Sequence, residues 1–237
     1  MILGLVPTWQ EGRLSWTALA SLLPACDHIA AFDGPIGDAP PSGHASVLPK
    51  PSNTIHIQTG AWPSDAAKRT AMLRWAQART WLSDEDWLVW LDGDEVLLWG
   101  EYLPDLIDRA SEEADELTVV GGFPIRLHEL DGTTSVCLGR IVRVGVIAEY
   151  IVSSFYVRKR DGSEAAIGNV PVWNWRQGPM LVGGTPEQPE IDPRCRPASP
   201  GEPQILHRSA WRSKGRTVQR QSEAEAVQVE AGEVPGL

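Results

Sequence analysis

Along this chain, short unbroken apolar runs alternate with stretches in which apolar residues return every three or four positions. The first pattern predicts buried strands and the second amphipathic helices. Ile2 to Val6 predicts a first strand ending at Pro7-Thr8-Trp9. Leu14, Ala18, Leu19, Leu22 and Leu23 then predict a helix closed by Pro24, and His28 to Phe32 a second strand stopped by the Asp33-Gly34-Pro35 turn. The breaker-rich stretch from Asp38 to Pro51 predicts an irregular excursion, and Thr54 to Gln58 a short strand. Ser64 is placed to cap a helix running from Asp65 to about Thr80. Trp87 to Leu91 predicts an interior parallel strand covered on both faces, and it stops abruptly at Asp92-Gly93-Asp94-Glu95.

Beyond that stop, Tyr102, Leu103, Leu106, Ile107 and Ala110 predict a helix. Leu117 to Phe123, Val136 to Val144 and Ile151 to Val157 predict strands. Gly178 to Pro203 reads as loop-rich, and the acidic stretch from Ser222 onward lacks any basic residue. The succession of strand, helix and strand predicts an α/β fold: a Rossmann-type mixed sheet flanked by helices. With 237 residues, 42% of them hydrophobic, the chain suits one substantial domain.

Charge and ring content narrow the chemistry. A net charge of −10 disfavours broad attraction to nucleic acid. The stretch from Gln204 to Arg220 nevertheless holds Arg208, Arg212, Lys214, Arg216 and Arg220 with no acid, a local patch suited to a compact phosphate ligand. Eleven tryptophans exceed what a core of this size needs. Trp9, Trp62, Trp173, Trp175 and Trp211 are the cleft candidates, whereas Trp75 and Trp90 read as core. Asn174 and Arg176 beside Trp173 and Trp175 would fix the polar groups of a sugar or acceptor stacked on the rings; the same rings would also serve as filling for a small apolar cluster. His56 has no metal partner nearby in sequence and reads as a structural or surface residue. Cys26, Cys137 and Cys195 are widely spaced and fit a reducing compartment. No stretch approaches the length of a membrane span, so a cytoplasmic enzyme without membrane insertion is expected.

Asp92 and Asp94 offer the hard oxygen donors that magnesium or manganese prefers, and Gly93 lets the backbone turn between them. An Asp-Gly-Asp stretch is also an ordinary turn. Placed after a buried strand, however, it resembles the Asp-any-Asp motif of nucleotide-sugar-dependent glycosyltransferases with the GT-A fold, in a family-2-like form similar to bacterial or bacteriophage enzymes. That resemblance implies a nucleotide-sugar-binding half over 1–100. An acceptor-binding half with a C-terminal closing segment follows over 101–220, and 221–237 is expected to form a flexible tail. It implies Mn2+ or Mg2+ as cofactor and a nucleoside-diphosphate sugar, UDP-sugar ahead of GDP-sugar, as donor. Asp94 is the expected direct metal ligand, with Asp92 on the metal or the ribose and His207 returning to the metal from the C-terminal side. Thr8, Asp33, Lys68 or Arg69, Arg208 and Arg212 are expected at the nucleotide and its diphosphate. Glu149 and Asp161 are candidate bases. The expected acceptor is a hydroxyl of a protein or glycan, with DNA ranked lower. A nucleotidyltransferase and a non-enzymatic carbohydrate-binding module are the competing readings.

Overall fold

The computed structural model describes residues 1–38, 45–112, 123–129, 135–152, 156–166, 181–184, 189–191 and 203–207. In chain order the elements are β1 (Ile2–Thr8), α1 (Arg13–Leu22), β2 (His28–Asp33), β3 (Ile55–Thr59), α2 (Asp65–Gln77), β4 (Trp87–Trp90) and β5 (Glu95–Leu98). A 3-10 turn (Gly100–Tyr102), α3 (Leu103–Glu112), β6 (Phe123–Glu129), β7 (Ser135–Arg143), β8 (Ile147–Val152), β9 (Tyr156–Lys159), β10 (Glu164–Ala166), β11 (Leu181–Gly184), β12 (Pro189–Ile191) and β13 (Gln204–His207) follow.

Eight strands form one mixed sheet in the order β3-β2-β1-β4-β7-β6-β13-β5. Strands β1 to β4 run parallel to their neighbours within that group, and β4 then pairs antiparallel with β7. Strands from both sides of residue 100 therefore share the sheet. The alternation along β1 shows how it is covered: Ile2 and Val6 point to one core, with α1 and α3, while Leu3 and Leu5 point to the other, with α2 and β8. β4 repeats this pattern, sending Trp87 and Val89 one way and Leu88 and Trp90 the other. The result is a mixed α/β architecture with a central sheet flanked by helices.

Local chemistry explains the helix ends. Ser64 Oγ accepts a hydrogen bond from Ala67 N at 3.1 Å, fulfilling its predicted role as the cap of α2, and Asp65 sits favourably in the first turn. The structure departs from the sequence pattern at two places. The single strand expected over Ile151 to Val157 is two antiparallel strands, β8 and β9, with Tyr150 opposite Val157. β5 was not expected, and it follows the acidic motif directly before pairing with β13. The expected strand from Leu117 lies outside the described residues as far as 122, and β6 begins at Phe123. Among the described residues no helix is long and apolar enough to cross a membrane.

Candidate active site

The chain builds β1, β2 and β3 in one direction across the sheet and then returns to lay β4 on the other side of β1. The switch point thus falls between β1 and β4, where open α/β sheets bind ligands beyond the carboxyl ends of their strands. Thr8 ends β1, and Asp92-Gly93-Asp94 follows β4 there. Gly93 N still donates to Pro7 O at 3.2 Å, so the acidic turn is stitched to the end of β1. A Cβ on Gly93 would stand 2.9 Å from both Glu11 Cγ and Thr8 Oγ1. Only glycine fits this turn without displacing those side chains.

A buried charge network runs through the site. Arg69, on α2, donates from Nε to Asp65 at 2.8 Å and from Nη2 to Asp92 Oδ1 at 2.8 Å. Arg140, on β7, donates from Nη2 to Asp92 Oδ2 at 3.2 Å and to Glu95 Oε1 at 2.8 Å. Glu95 Oε2 in turn accepts from Asp92 N at 2.7 Å. Both oxygens of Asp92 are thereby engaged by guanidinium groups, and the acidic turn is fixed from three elements. Burial opposes the charge on Arg69, but Asp65 and Asp92 outweigh it and raise its pKa. Burial likewise opposes the charge on Arg140, which Asp92 and Glu95 restore against the repulsion of Arg69. Both remain cations at any working pH.

Lys68 is only 1% exposed, and its ammonium donates to Thr8 O at 3.0 Å and Gly34 O at 2.8 Å. It ties the ends of β1 and β2 together while lying 4.8 Å from the Trp62 ring centre. Thr8 Oγ1 lies 3.1 Å from Ser46 Oγ, and Asp33 faces Thr8 across the β1–β2 register. In the turn after β1, Gln10 takes a positive φ of 55° and Glu11 is buried. Holding a bulky residue in this conformation costs energy, and such strain recurs at ligand sites.

The C-terminal side reaches the same edge. In β13, His207 stands opposite Glu95 on one side and Glu129 on the other in the backbone register. Arg208 and Arg212, like Trp173, Asn174 and Trp175, lie outside the described residues. Glu149, on β8, is paired with Arg158 and lies 3.8 Å from Arg74. Asp161, in the turn after β9, accepts hydrogen bonds from the Ser163 amide and hydroxyl, which lower its pKa. Neither carboxylate has a described contact with Asp92, Asp94 or Glu95.

Three residues at the site escaped sequence reasoning. Arg140 reads locally as an outward-facing position on a strand, and only the β4–β7 pairing brings it to Asp92. Glu11 follows Trp9-Gln10 in a turn, where an acid carries no distinguishing local pattern. Tyr150 is buried against Trp90, ring centres 5.2 Å apart, and burial pushes its phenol up far enough to keep it neutral.

Four buried carboxylates, Glu11, Asp92, Asp94 and Glu95, share the site with three buried cations, Lys68, Arg69 and Arg140. Among the described residues no three His, Cys, Asp or Glu side chains are arranged to hold a metal ion. An ion here would draw one or two carboxylates from the chain and its remaining oxygens from ligand and water, the coordination habit of magnesium.

No family model matches the chain, and no curated protein matches it. Part of it resembles solved structures of S. aureus TarS. A crystal structure of TarS aligns at 13% identity and a TM-score of 0.33, over 57% of this chain and 22% of that one. TarS 1-349 aligns at 14% and 0.32, over 54% and 34%, and its complex with UDP-GlcNAc at 15% and 0.33, over 54% and 33%. The chain thus spans between about a fifth and a third of the length of those proteins. Likeness this partial leaves activity to be read from the residues themselves.

Proposed function

We propose that this chain is a glycosyltransferase with a GT-A-like site, moving a sugar from a nucleoside-diphosphate sugar to an acceptor hydroxyl. The observation that carries the reading is the buried Asp92-Gly93-Asp94 turn at the β1–β4 switch point, braced by Arg69 and Arg140. Asp92, with both oxygens on guanidinium groups, sets the position of the turn. Asp94 is the carboxylate assigned to a divalent ion, and His207, in register with Glu95, is the second candidate ligand. Mn2+ or Mg2+ bound there would neutralise the donor's diphosphate as it leaves. Thr8 and Asp33, at adjacent strand ends, are assigned to the nucleoside, and Arg208 and Arg212 to the diphosphate.

In the reaction the acceptor oxygen bonds to the anomeric carbon, the bond from that carbon to the diphosphate breaks, and the hydroxyl proton passes to a base. Glu149 and Asp161 are the bases to be separated by substitution. UDP-sugars are the first donors to try, with protein and glycan acceptors before DNA. A panel of nucleotide sugars assayed with manganese for released nucleoside diphosphate tests the proposal. At least one donor should be consumed, and Asp94→Asn should slow its consumption on the order of 100-fold. A panel with no donor consumed, or equal rates for Asp94→Asn, would overturn it.

A further inference from the structure

We propose that His28 and His56 form a zinc-binding site at the end of the sheet opposite the candidate active site. His28 opens β2 and His56 lies early in β3, the neighbouring parallel strand, where it stands opposite Ala30. His28 Nδ1 and His56 Nε2 are 3.3 Å apart. Two nitrogens bound tetrahedrally to zinc at about 2.0–2.1 Å would be about 3.4 Å apart, whereas the right angle of a square-planar copper or nickel site would bring them to about 2.9 Å. The observed spacing matches the tetrahedral case.

The surroundings keep the pair ordered and reachable. Trp81 stacks on His28 with ring centres 4.0 Å apart and planes 20° apart, and the two imidazole planes are 24° apart. Trp75 lies 5.2 Å from His56. All four rings are half-buried, so a metal ion can enter from solvent. Burial, then His28 and then Arg79, lower the His56 pKa, favouring the neutral imidazole that binds metal. Among the described residues Arg79, whose guanidinium lies 4.6 Å from the Trp75 ring centre, acts on His56 alongside His28, and it opposes a second cation. With no third His, Cys, Asp or Glu in place among the described residues, zinc would keep water in its open positions.

Without metal, one ring must donate its N–H to the other. Zinc needs both facing lone pairs, so that proton moves to the far nitrogen of its own ring and none is lost from the neutral pair. Protonation of either ring competes with zinc.

Zinc titration calorimetry on the chelator-stripped chain at pH 7.5, with tryptophan fluorescence recorded in parallel, tests the site. One zinc should bind with Trp81 reporting it. Affinity should fall about tenfold or more in His28→Gln, in His56→Gln, and in the unaltered chain at pH 5.5. Asp94→Asn should bind this zinc as the unaltered chain does, which separates the site from the proposed donor site. Should one histidine variant fail to fold by circular dichroism, the other decides. Absence of zinc binding, or unchanged affinity in the folded histidine variants, would overturn the proposal.

Discussion

Arg140 and Tyr150 are both buried beside the acidic turn, yet they should respond oppositely to substitution. Arg140 divides one amino group between Asp92 and Glu95, so Arg140→Gln takes a buried cation from two buried carboxylates and leaves Asp92 on Arg69 and Glu95 on the Asp92 amide. Breaking such a pair costs about 3–5 kcal/mol. Among the described residues the Tyr150 hydroxyl, by contrast, is buried without a hydrogen-bond partner. Tyr150→Phe should therefore leave stability within about 1 kcal/mol of the starting value or raise it. Urea denaturation of both variants checks the contrast, and equal losses would contradict it. A third residue links stability to pH. The folded-state pKa of His56 lies below its ordinary 6.5, so as pH falls through 6.5 the unfolded chain takes up a proton before the folded one. The His56 contribution is complete above that pH and is lost below it. The melting temperature should fall less between pH 7.5 and 5.5 for His56→Gln than for the unaltered chain, and parallel declines would contradict the assignment.

At the scale of elements, what the sequence revealed was local and what it concealed was pairing. The apolar run from Trp87 to Leu91 specified a strand buried on both faces because it is unbroken, too short for a helix and bounded by acids. Ser64 specified a helix start through a bond to a residue three places on. The reversal between β8 and β9 was hidden because β-branched and aromatic residues run from Tyr150 to Val157 with only the polar pair Ser153-Ser154 to interrupt them. The arrival of His207 opposite Glu95, more than a hundred residues along the chain, is likewise a property of register and not of composition. The tight turn at Gly93 offers a test at this scale. Its added methyl would press on Glu11 and Thr8, so Gly93→Ala should destabilise the fold by about 1–3 kcal/mol and weaken donor binding. A melting temperature and donor affinity both equal to those of the unaltered chain would show that the turn has room to spare.

Across the whole molecule, an acidic chain gathers buried cations where its parallel strands end. Lys68 fastens β1 to β2, while Arg69 from α2 and Arg140 from β7 grip Asp92. The strands on both sides of the switch point are thereby fixed, and Asp94, in the turn that follows β4, is the carboxylate the proposed reaction uses. Calorimetric titration of a UDP-sugar into the protein with and without manganese, repeated on Asp94→Asn, probes that use most directly. Binding that strengthens with manganese in the unaltered chain, with the strengthening lost in Asp94→Asn, is the predicted result; manganese-dependent binding of equal strength in the two proteins would contradict it.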